Sequence, residues 1–132
     1  MIRFAHILLP FLLSCWSQGL MASSRVVVLN HHQKEKSQTT ISLRSDSIQF
    51  SGRSHHSVGI DFQVECDTAA FAMESKVKYT YPESMEQGLC GGDDATTTYT
   101  LRPKKRGTHV VYTVVNFRGD EESRTKHVII VK

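Results

Sequence analysis

The chain has 132 residues, of which 39% are hydrophobic, and it carries a formal net charge of +3 at pH 7. This length is enough for one domain with a real but modest core. The low charge argues against a nucleic-acid-binding protein, for which a basic face and a higher pI are expected.

The first nineteen residues have the three-part layout of a secretory signal peptide. Arg3 precedes an apolar run from Ile7 to Leu13, and small or polar residues follow it. The run is too short to cross a bilayer as a helix, and no second run of that kind occurs. We therefore expect residues 1–19 to be removed and residues 20–132 to be secreted as one β-sandwich domain without a transmembrane segment.

The sequence leaves three alternatives for this leader. Signal peptidase prefers small residues before its cut, which favours cleavage after Gly19, with cleavage after Ala22 also possible. Leu12–Cys15 also resembles a weak bacterial lipobox, in which Cys15 would carry a lipid and the chain would be an anchored structural lipoprotein. In the third alternative, the segment stays uncleaved as an anchor. Mass spectrometry of the mature N-terminus distinguishes among them.

Strand patterns begin at residue 25. The β-branched run Arg25–Leu29 predicts a short strand, and the polar residues 31–38 predict a loop. Within residues 39–50, the apolar residues Ile41 and Leu43 stand at odd positions, and Ile48 and Phe50 stand at even positions. The change near 44–47 predicts two strands or one bulged strand. Residues 51–57 contain a glycine and predict a turn.

The clearest element is Val58–Cys66, where apolar and polar residues alternate without a break. This alternation predicts a strand with one buried and one solvated face. Residues 68–73 are ambiguous and compatible with a helical turn, whereas Lys76–Tyr81 alternates again. A loop rich in Pro, Ser and Gly is predicted over 82–94, followed by Thr-rich strand material at 96–101.

The last part of the chain predicts a hairpin. A turn at 103–107 precedes the strand Thr108–Phe117, and Ser123–Val131 forms its partner across residues 118–122. About seven strands at regular intervals, with no long helical pattern, indicate an all-β antiparallel sandwich.

This final hairpin resembles that of immunoglobulin-like domains of the fibronectin type III, I-set or PKD kind. The resemblance rests on Gly107-Thr108, the alternating Val110, Tyr112 and Val114, the Gly-containing turn, and the closing Val128–Val131. It implies an immunoglobulin-like β-sandwich. The domain is a divergent one, because the single Trp, Trp16, lies in the leader and the penultimate strand holds no cysteine.

Cys66 and Cys90 remain as an even pair after the leader is removed. In an oxidising compartment they predict a disulfide, which would close a loop of about 24 residues and stabilise the fold by ~3 kcal/mol. Their spacing is too short for the usual bridge between the sheets of an antibody domain. The alternative, two free thiols that bind a metal, lacks nearby partners at zinc-like spacing.

Arg118-Gly119-Asp120 is an RGD tripeptide at the predicted hairpin tip. It resembles the integrin-binding loop of fibronectin type III modules. That resemblance implies that Asp120 would complete the coordination of an integrin-bound cation while Arg118 reaches an acidic pocket. The alternative is turn chemistry, in which Gly119 takes a positive φ and the charged residues solvate the hairpin.

Arg102, Lys104, Lys105 and Arg106 form a second charged cluster, around Pro103. It predicts contact with sulfated glycans, acidic lipid heads or an acidic protein. The alternatives are a dibasic processing site and a solvated turn.

Metal binding is not expected. His31-His32 and His55-His56 are imidazole pairs in polar loops without a carboxylate at a fitting distance, so exposed loop histidines are the better interpretation. Asp93-Asp94 follows two glycines but lacks the alternate acids of a calcium loop, which indicates a solvated turn.

No nucleophile elbow, zinc-protease motif, phosphate loop or dinucleotide fingerprint occurs, so we expect neither an enzyme nor a cofactor. The sequence predicts a secreted protein that binds an extracellular or host protein, such as a receptor, through the loops holding Arg102–Arg106 and Arg118–Glu122. The alternatives are the lipoprotein, an integrin-type adhesion ligand, and a carrier of a small ligand or metal.

Overall fold

The structure, a computed structural model, describes residues 24–32, 38–87 and 92–132. The predicted leader, with Cys15, and the predicted disulfide partner Cys90 lie outside the described residues. Within the described ranges, no helix has the length and hydropathy that a membrane span requires.

The described residues form eight strands and one short helix. The strands are β1 (Arg25–Leu29), β2 (Gln38–Ile41), β3 (Asp46–His55), β4 (Ile60–Glu65), β5 (Phe71–Tyr79), β6 (Asp94–Pro103), β7 (Gly107–Phe117) and β8 (Asp120–Val131). The helix, α1 (Pro82–Glu86), lies between β5 and β6. The all-β class expected from the sequence is therefore confirmed.

The strands follow the hydrogen-bonded order β2-β8-β7-β4-β3-β6-β5. β1 pairs with β3, and β2 with β8, in parallel, whereas the other pairings are antiparallel as expected from the sequence. β3 and β4 share a single residue pair, His55 with Ile60, so the sheet folds over at this point into two layers. One layer contains β2, β8, β7 and β4, and the other contains β1, β3, β6 and β5. The result is a β-sandwich.

Alternating apolar side chains from both layers form the core. In β4, Phe62 and Val64 are buried while Gln63 and Glu65 are exposed, which confirms the alternation read from the sequence. The core cluster comprises Leu29, Ile41, Ile48, Phe50, Phe62, Val64, Ala70, Phe71, Leu101, Val111, Ile129 and Val131. Burying each large apolar side chain contributes about 1.5–3 kcal/mol to folding.

The structure corrects the turn predicted at residues 51–57. β3 continues through this segment to His55 because β6 pairs with it residue by residue, ending with His55 opposite Asp94. Ser54 on the same stretch is buried, as expected for a strand position that faces the other layer. Residues 39–50 do form two strands, and residues 68–70 form a turn in which the N–H groups of Ala70 and Phe71 donate to the carbonyl oxygen of Asp67.

A chain of buried polar groups crosses the sandwich beside the core. The ring of His31 reaches the hydroxyl oxygen of Thr113 through Nδ1 and that of Ser123 through Nε2, both at 2.7 Å. The same Thr113 hydroxyl lies 2.9 Å from Nε2 of His127. The expectation that His31 is an exposed loop residue is therefore wrong, although its neighbour His32 is exposed.

Cys66 follows β4 and is half-buried, and no disulfide joins it to another of the described residues. Burial, and to a lesser extent the negative charge of Asp67, raises the pKa of this thiol. Because Cys90 lies outside the described residues, the disulfide between the two stays a prediction.

Candidate protein-binding surface

Three chain connections lie together at one end of the sandwich, which we call the loop end. They are the β3–β4 turn (56–59), the β5–β6 connection (80–93, described except for 88–91) and the β7–β8 turn (118–119). β3, β5 and β7 all run toward this end, because β6 is antiparallel to both β3 and β5, and β4 is antiparallel to both β3 and β7. The topology thus brings together segments that are far apart in sequence.

The β3–β4 turn is closed by its own backbone. The carbonyl oxygen of His55 accepts hydrogen bonds from the N–H groups of Val58 and Gly59, both at 3.0 Å. Gly59 has a φ of 90°, which a residue with a side chain rarely adopts. Its carbonyl oxygen accepts a further hydrogen bond of 2.7 Å from the N–H of Arg118. The β3–β4 and β7–β8 turns are therefore joined directly.

The β7–β8 turn holds the RGD tripeptide in a tight conformation. Phe117 pairs with Asp120, so Arg118 and Gly119 alone make the turn, with φ values of 53° and 87°. Two consecutive positive φ angles are the signature of a type I′ hairpin turn. The Arg118 guanidinium lies 5.1 Å from the centre of the Phe117 ring, within the range of a cation–π contact.

Asp93 joins the β5–β6 connection to the β3–β4 turn. Its carboxylate accepts hydrogen bonds from the backbone N–H of Ser57 (2.8 Å) and from the Ser57 hydroxyl (2.5 Å). Nε2 of His55 lies 3.2 Å from the same carboxylate. The hydrogen bond from the Ser57 hydroxyl is the main cause that lowers the pKa of Asp93. All three connections are thus held to one another by polar contacts.

The loop end exposes apolar and aromatic side chains. Val58 is 42%, Tyr81 58% and Phe117 39% exposed, and each belongs to a different one of the three connections or its flanking strand. Arg118 beside them is exposed as well. Aromatic residues and arginine are the types enriched at the centres of protein interfaces. The composition of this end is therefore that of a protein-binding surface.

The structure places the two predicted contact clusters far apart. Arg118, Gly119 and Asp120 lie at the loop end, whereas Arg102, Lys104, Lys105 and Arg106 flank the β6–β7 turn at the opposite end. The eleven residues of β7 separate them, which corresponds to about 35 Å. Nζ of Lys104 donates to the carbonyl oxygen of Thr68 (3.0 Å) at that far end. The two clusters therefore form separate surfaces.

The histidine and aspartate pairs interact with neighbouring side chains. Asp94 accepts a hydrogen bond of 2.9 Å from Nε of Arg53, and Nε2 of His56 lies 3.6 Å from Asp61. The Arg53 hydrogen bond is the main cause that lowers the pKa of Asp94. Among the described residues, no three side chains of His, Cys, Asp or Glu are grouped so that they would hold a metal ion.

Sequence reasoning missed the contribution of Val58, Gly59 and Asp93 to this surface. The alternation that begins at Val58 predicts a strand from that residue, but β4 begins at Ile60. The signal was Gly59 at the start of an otherwise regular alternation, since an isolated glycine there indicates a turn or a bulge. The link between Ser57 and Asp93 joins positions 36 residues apart, and no local pattern reports such a link.

Comparison of the sequence with protein-family models and with curated proteins gives no match. The fold is similar to the crystal structure of a cysteine protease inhibitor from Entamoeba histolytica, with a TM-score of 0.62 and 15% sequence identity. That alignment covers 83% of this chain and 97% of the other. The fold is also similar to the solution structure of amebosin, with a TM-score of 0.53, 9% identity, and coverage of 84% and 100%. These likenesses support the immunoglobulin-like β-sandwich, and the fibronectin type III kind stays a prediction.

Proposed function

We propose that this chain is a reversible, non-enzymatic inhibitor of cysteine proteases, and that it acts by inserting the loop end into the active-site cleft. The observation that supports this most is the joining of three connections into one exposed apolar end, through Arg118–Gly59 and Ser57–Asp93. The similarity of fold to a cysteine protease inhibitor supports the choice of target class. Secretion, predicted from residues 1–19, would bring the inhibitor to extracellular proteases.

The fixed shape of the β3–β4 and β7–β8 turns of the loop end favours tight binding. A surface whose loops are already ordered loses less conformational entropy when it binds than a flexible one does. Here the β3–β4 and β7–β8 turns are short, and each is closed by backbone hydrogen bonds. Val58, Tyr81 and Phe117 would bury apolar area in the cleft, while the Arg118 guanidinium supplies hydrogen-bond donors.

The same shape explains why the inhibitor would not be cut. Proteolytic nicking concentrates at exposed, poorly ordered loop tips. The β7–β8 turn contains only Arg118 and Gly119 and is closed by the pairing of Phe117 with Asp120. It cannot become an extended segment without opening this hairpin. The β7–β8 turn would therefore occupy the cleft without offering a scissile bond.

We expect the purified protein to inhibit a papain-type cysteine protease and to leave trypsin, a serine protease, unaffected. Val58→Asp places a charge on the apolar end and is expected to raise the inhibition constant at least about tenfold, because desolvating an unpaired carboxylate is costly. Arg118→Gly removes the guanidinium and places at this position a residue that tolerates the positive φ. We expect it to raise the inhibition constant as well, without loss of the fold. The measurement is a fluorogenic-substrate titration.

Lys105→Asp is the control, because it also introduces a carboxylate, with a net charge change of −2 against −1 for Val58→Asp, at the opposite end of the sandwich. Its inhibition constant should equal that of the wild type. Failure to inhibit any cysteine protease, or equal weakening by Val58→Asp and Lys105→Asp, would reject the proposal. Circular dichroism of each variant confirms that the β-sandwich is retained.

A further inference from the structure

β5 (Phe71–Tyr79) is an edge strand whose outer side is open. It pairs with β6 on one side, and no strand among the described residues pairs with the other side. Every residue after Phe71 in this strand is exposed, including Met73 at 42%, Val77 at 52% and Tyr79 at 40%. Native proteins shield long edges of this kind or use them to bind another strand.

The backbone groups that face the open side can be identified from the pairing with β6. The carbonyl oxygen of Ala70 accepts a hydrogen bond from the N–H of Lys104 (2.7 Å), and the N–H of Thr80 donates to the carbonyl oxygen of Asp94 (2.8 Å). The backbone groups of the even-numbered residues therefore point toward β6. Bonding direction alternates along an antiparallel strand. The N–H and C=O groups of the odd-numbered residues therefore point outward, and these residues are Phe71, Met73, Ser75, Val77 and Tyr79.

We propose that β5 pairs antiparallel with β5 of a second copy of this chain, about a two-fold axis at Ser75. In this register the outward backbone groups of Ser75 bond to those of Ser75 in the second copy. Glu74 then lies opposite Lys76 of the second copy, and Met73 lies opposite Val77 of the second copy. Opposite charges and apolar pairs directly across from one another stabilise antiparallel strands.

The strand's own sequence selects this register. A hydrogen-bonded pair must join two residues whose N–H and C=O groups point outward, so odd-numbered residues pair with odd-numbered residues. The two-fold axis therefore passes through a residue and not between two residues. An axis at Glu74 or at Lys76 would place two like charges face to face, which is destabilising. An axis at Met73 or Val77 would leave almost half of the strand unpaired. Only the axis at Ser75 pairs the whole of Phe71–Tyr79 and makes the Glu74–Lys76 contact twice.

Such a dimer would present its two loop ends in opposite directions. β5 runs toward the loop end, and an antiparallel partner runs the other way. Both loop ends stay uncovered, because the pairing uses only the strand edge. If the proposed function holds, one dimer binds two protease molecules; the dimer itself does not depend on that function.

The test compares the self-association of three proteins by sedimentation velocity from micromolar to millimolar concentration. The wild type is expected to show a concentration-dependent monomer–dimer equilibrium. Glu74→Lys sets like charges opposite one another and should raise the dissociation constant about tenfold. The double variant Glu74→Lys/Lys76→Glu restores opposite charges across the axis and should return the constant to near the wild-type value.

Ser75→Pro tests the backbone pairing. It removes an outward N–H that β6 does not use, and proline is tolerated on edge strands at such positions. We expect a folded monomer with unchanged protease inhibition. A wild type that stays monomeric throughout, a dimer that survives Ser75→Pro, or a charge swap that fails to restore association would each overturn the proposal. Circular dichroism shows whether the variant is folded, and the Glu74 variants test the same register without proline.

Discussion

Gly52, in the middle of β3, leaves the space that the Phe62 ring of β4 fills. A Cβ atom at Gly52 would lie within 2.6 Å of three carbons of that ring, closer than side chains pack. Its φ is not in the positive region, so the lack of a side chain, and not conformational freedom, is the reason for glycine here. Phe62 is fully buried, and its ring also packs edge-to-face against the ring of Tyr99, with 5.9 Å between the ring centroids.

Gly52→Ala is therefore expected to destabilise the protein by about 1–3 kcal/mol, because the added methyl group overpacks the core. Urea denaturation monitored by circular dichroism measures the change in the free energy of unfolding. Ser51→Ala is the control, since Ser51 is the adjacent exposed residue of the same strand, and its effect should stay within about 0.5 kcal/mol. Equal effects of the two substitutions would contradict this account.

The sequence indicates that the backbone at Gly52 needs a residue without a side chain, but it does not show the structural reason. A glycine among polar residues indicates a turn, a bulge or a close approach of another group. Residues 51–57 favoured the turn, yet pairing with β6 makes residues 51–55 part of a strand and leaves the turn to 56–59. The decisive contact comes from Phe62 in another strand, so it becomes visible only once β3 and β4 are folded against each other.

At the scale of elements, Asp93 holds two connections of the loop end in a fixed relation. Asp93→Ala removes both hydrogen bonds from Ser57 and the nearby charge that faces His55. The β3–β4 turn should become more mobile, while the strands keep their pairing. We expect faster amide hydrogen exchange at Ser57 and, if the proposed function holds, about tenfold weaker inhibition, because the loop end then loses entropy on binding.

Asp67→Ala is the control for this prediction. Asp67 also accepts a hydrogen bond from a backbone N–H, that of Ala69 at 2.9 Å, but it is exposed and lies at the opposite end of the sandwich. Its substitution should leave Ser57 exchange and inhibition unchanged. Unaltered exchange at Ser57 in Asp93→Ala would show that the turn does not depend on the carboxylate, whether or not the chain inhibits a protease.

The elements themselves were largely predictable, and their arrangement was not. Period-two alternation predicts β4, β7 and most of β8, because burial on one face imposes that period. Whether the β7–β8 turn lies beside the β3–β4 turn depends on β4 pairing with β7, a contact between distant segments. The tripeptide at 118–120 was therefore identified as exposed, while the neighbours that make it part of a larger surface were missed.

At the scale of the whole molecule, the buried chain of His31, Thr113 and His127 makes stability depend on pH. Burial lowers the pKa of both imidazoles below the value of 6.5 for a free histidine, with a smaller contribution from His32 to the first and from His31 to the second. The aromatic rings of Phe50 and Phe62 pack against them, so a charged imidazole has little solvation.

The direction of this pH dependence follows from the number of protons that the folded and unfolded states bind. Below pH 6.5 the unfolded chain binds protons at both positions while the folded state still resists them, so acid favours unfolding. The stabilisation is complete above about pH 7 and is lost as the pH falls through 6.5 toward the lowered values. Each imidazole contributes a slope of at most about 1.4 kcal/mol per pH unit. The carboxylates with lowered pKa values, such as Asp46, add to acid sensitivity only at lower pH.

We therefore expect the midpoint of urea denaturation to stay level above about pH 7 and to fall from there toward pH 5. His127→Gln removes one of the two groups and should reduce this slope, even though it also lowers stability at every pH. His56→Gln is the control for the substitution itself, because His56 is an exposed residue of the loop end and lies outside the buried chain. A flat profile in the wild type, or equal slopes in His127→Gln and the wild type, would mean that these imidazoles accept protons as easily in the folded state as in the unfolded one. Their burial beside Phe50 and Phe62 argues against that outcome, since the hydrogen bonds that the described residues offer these rings are with neutral hydroxyl groups.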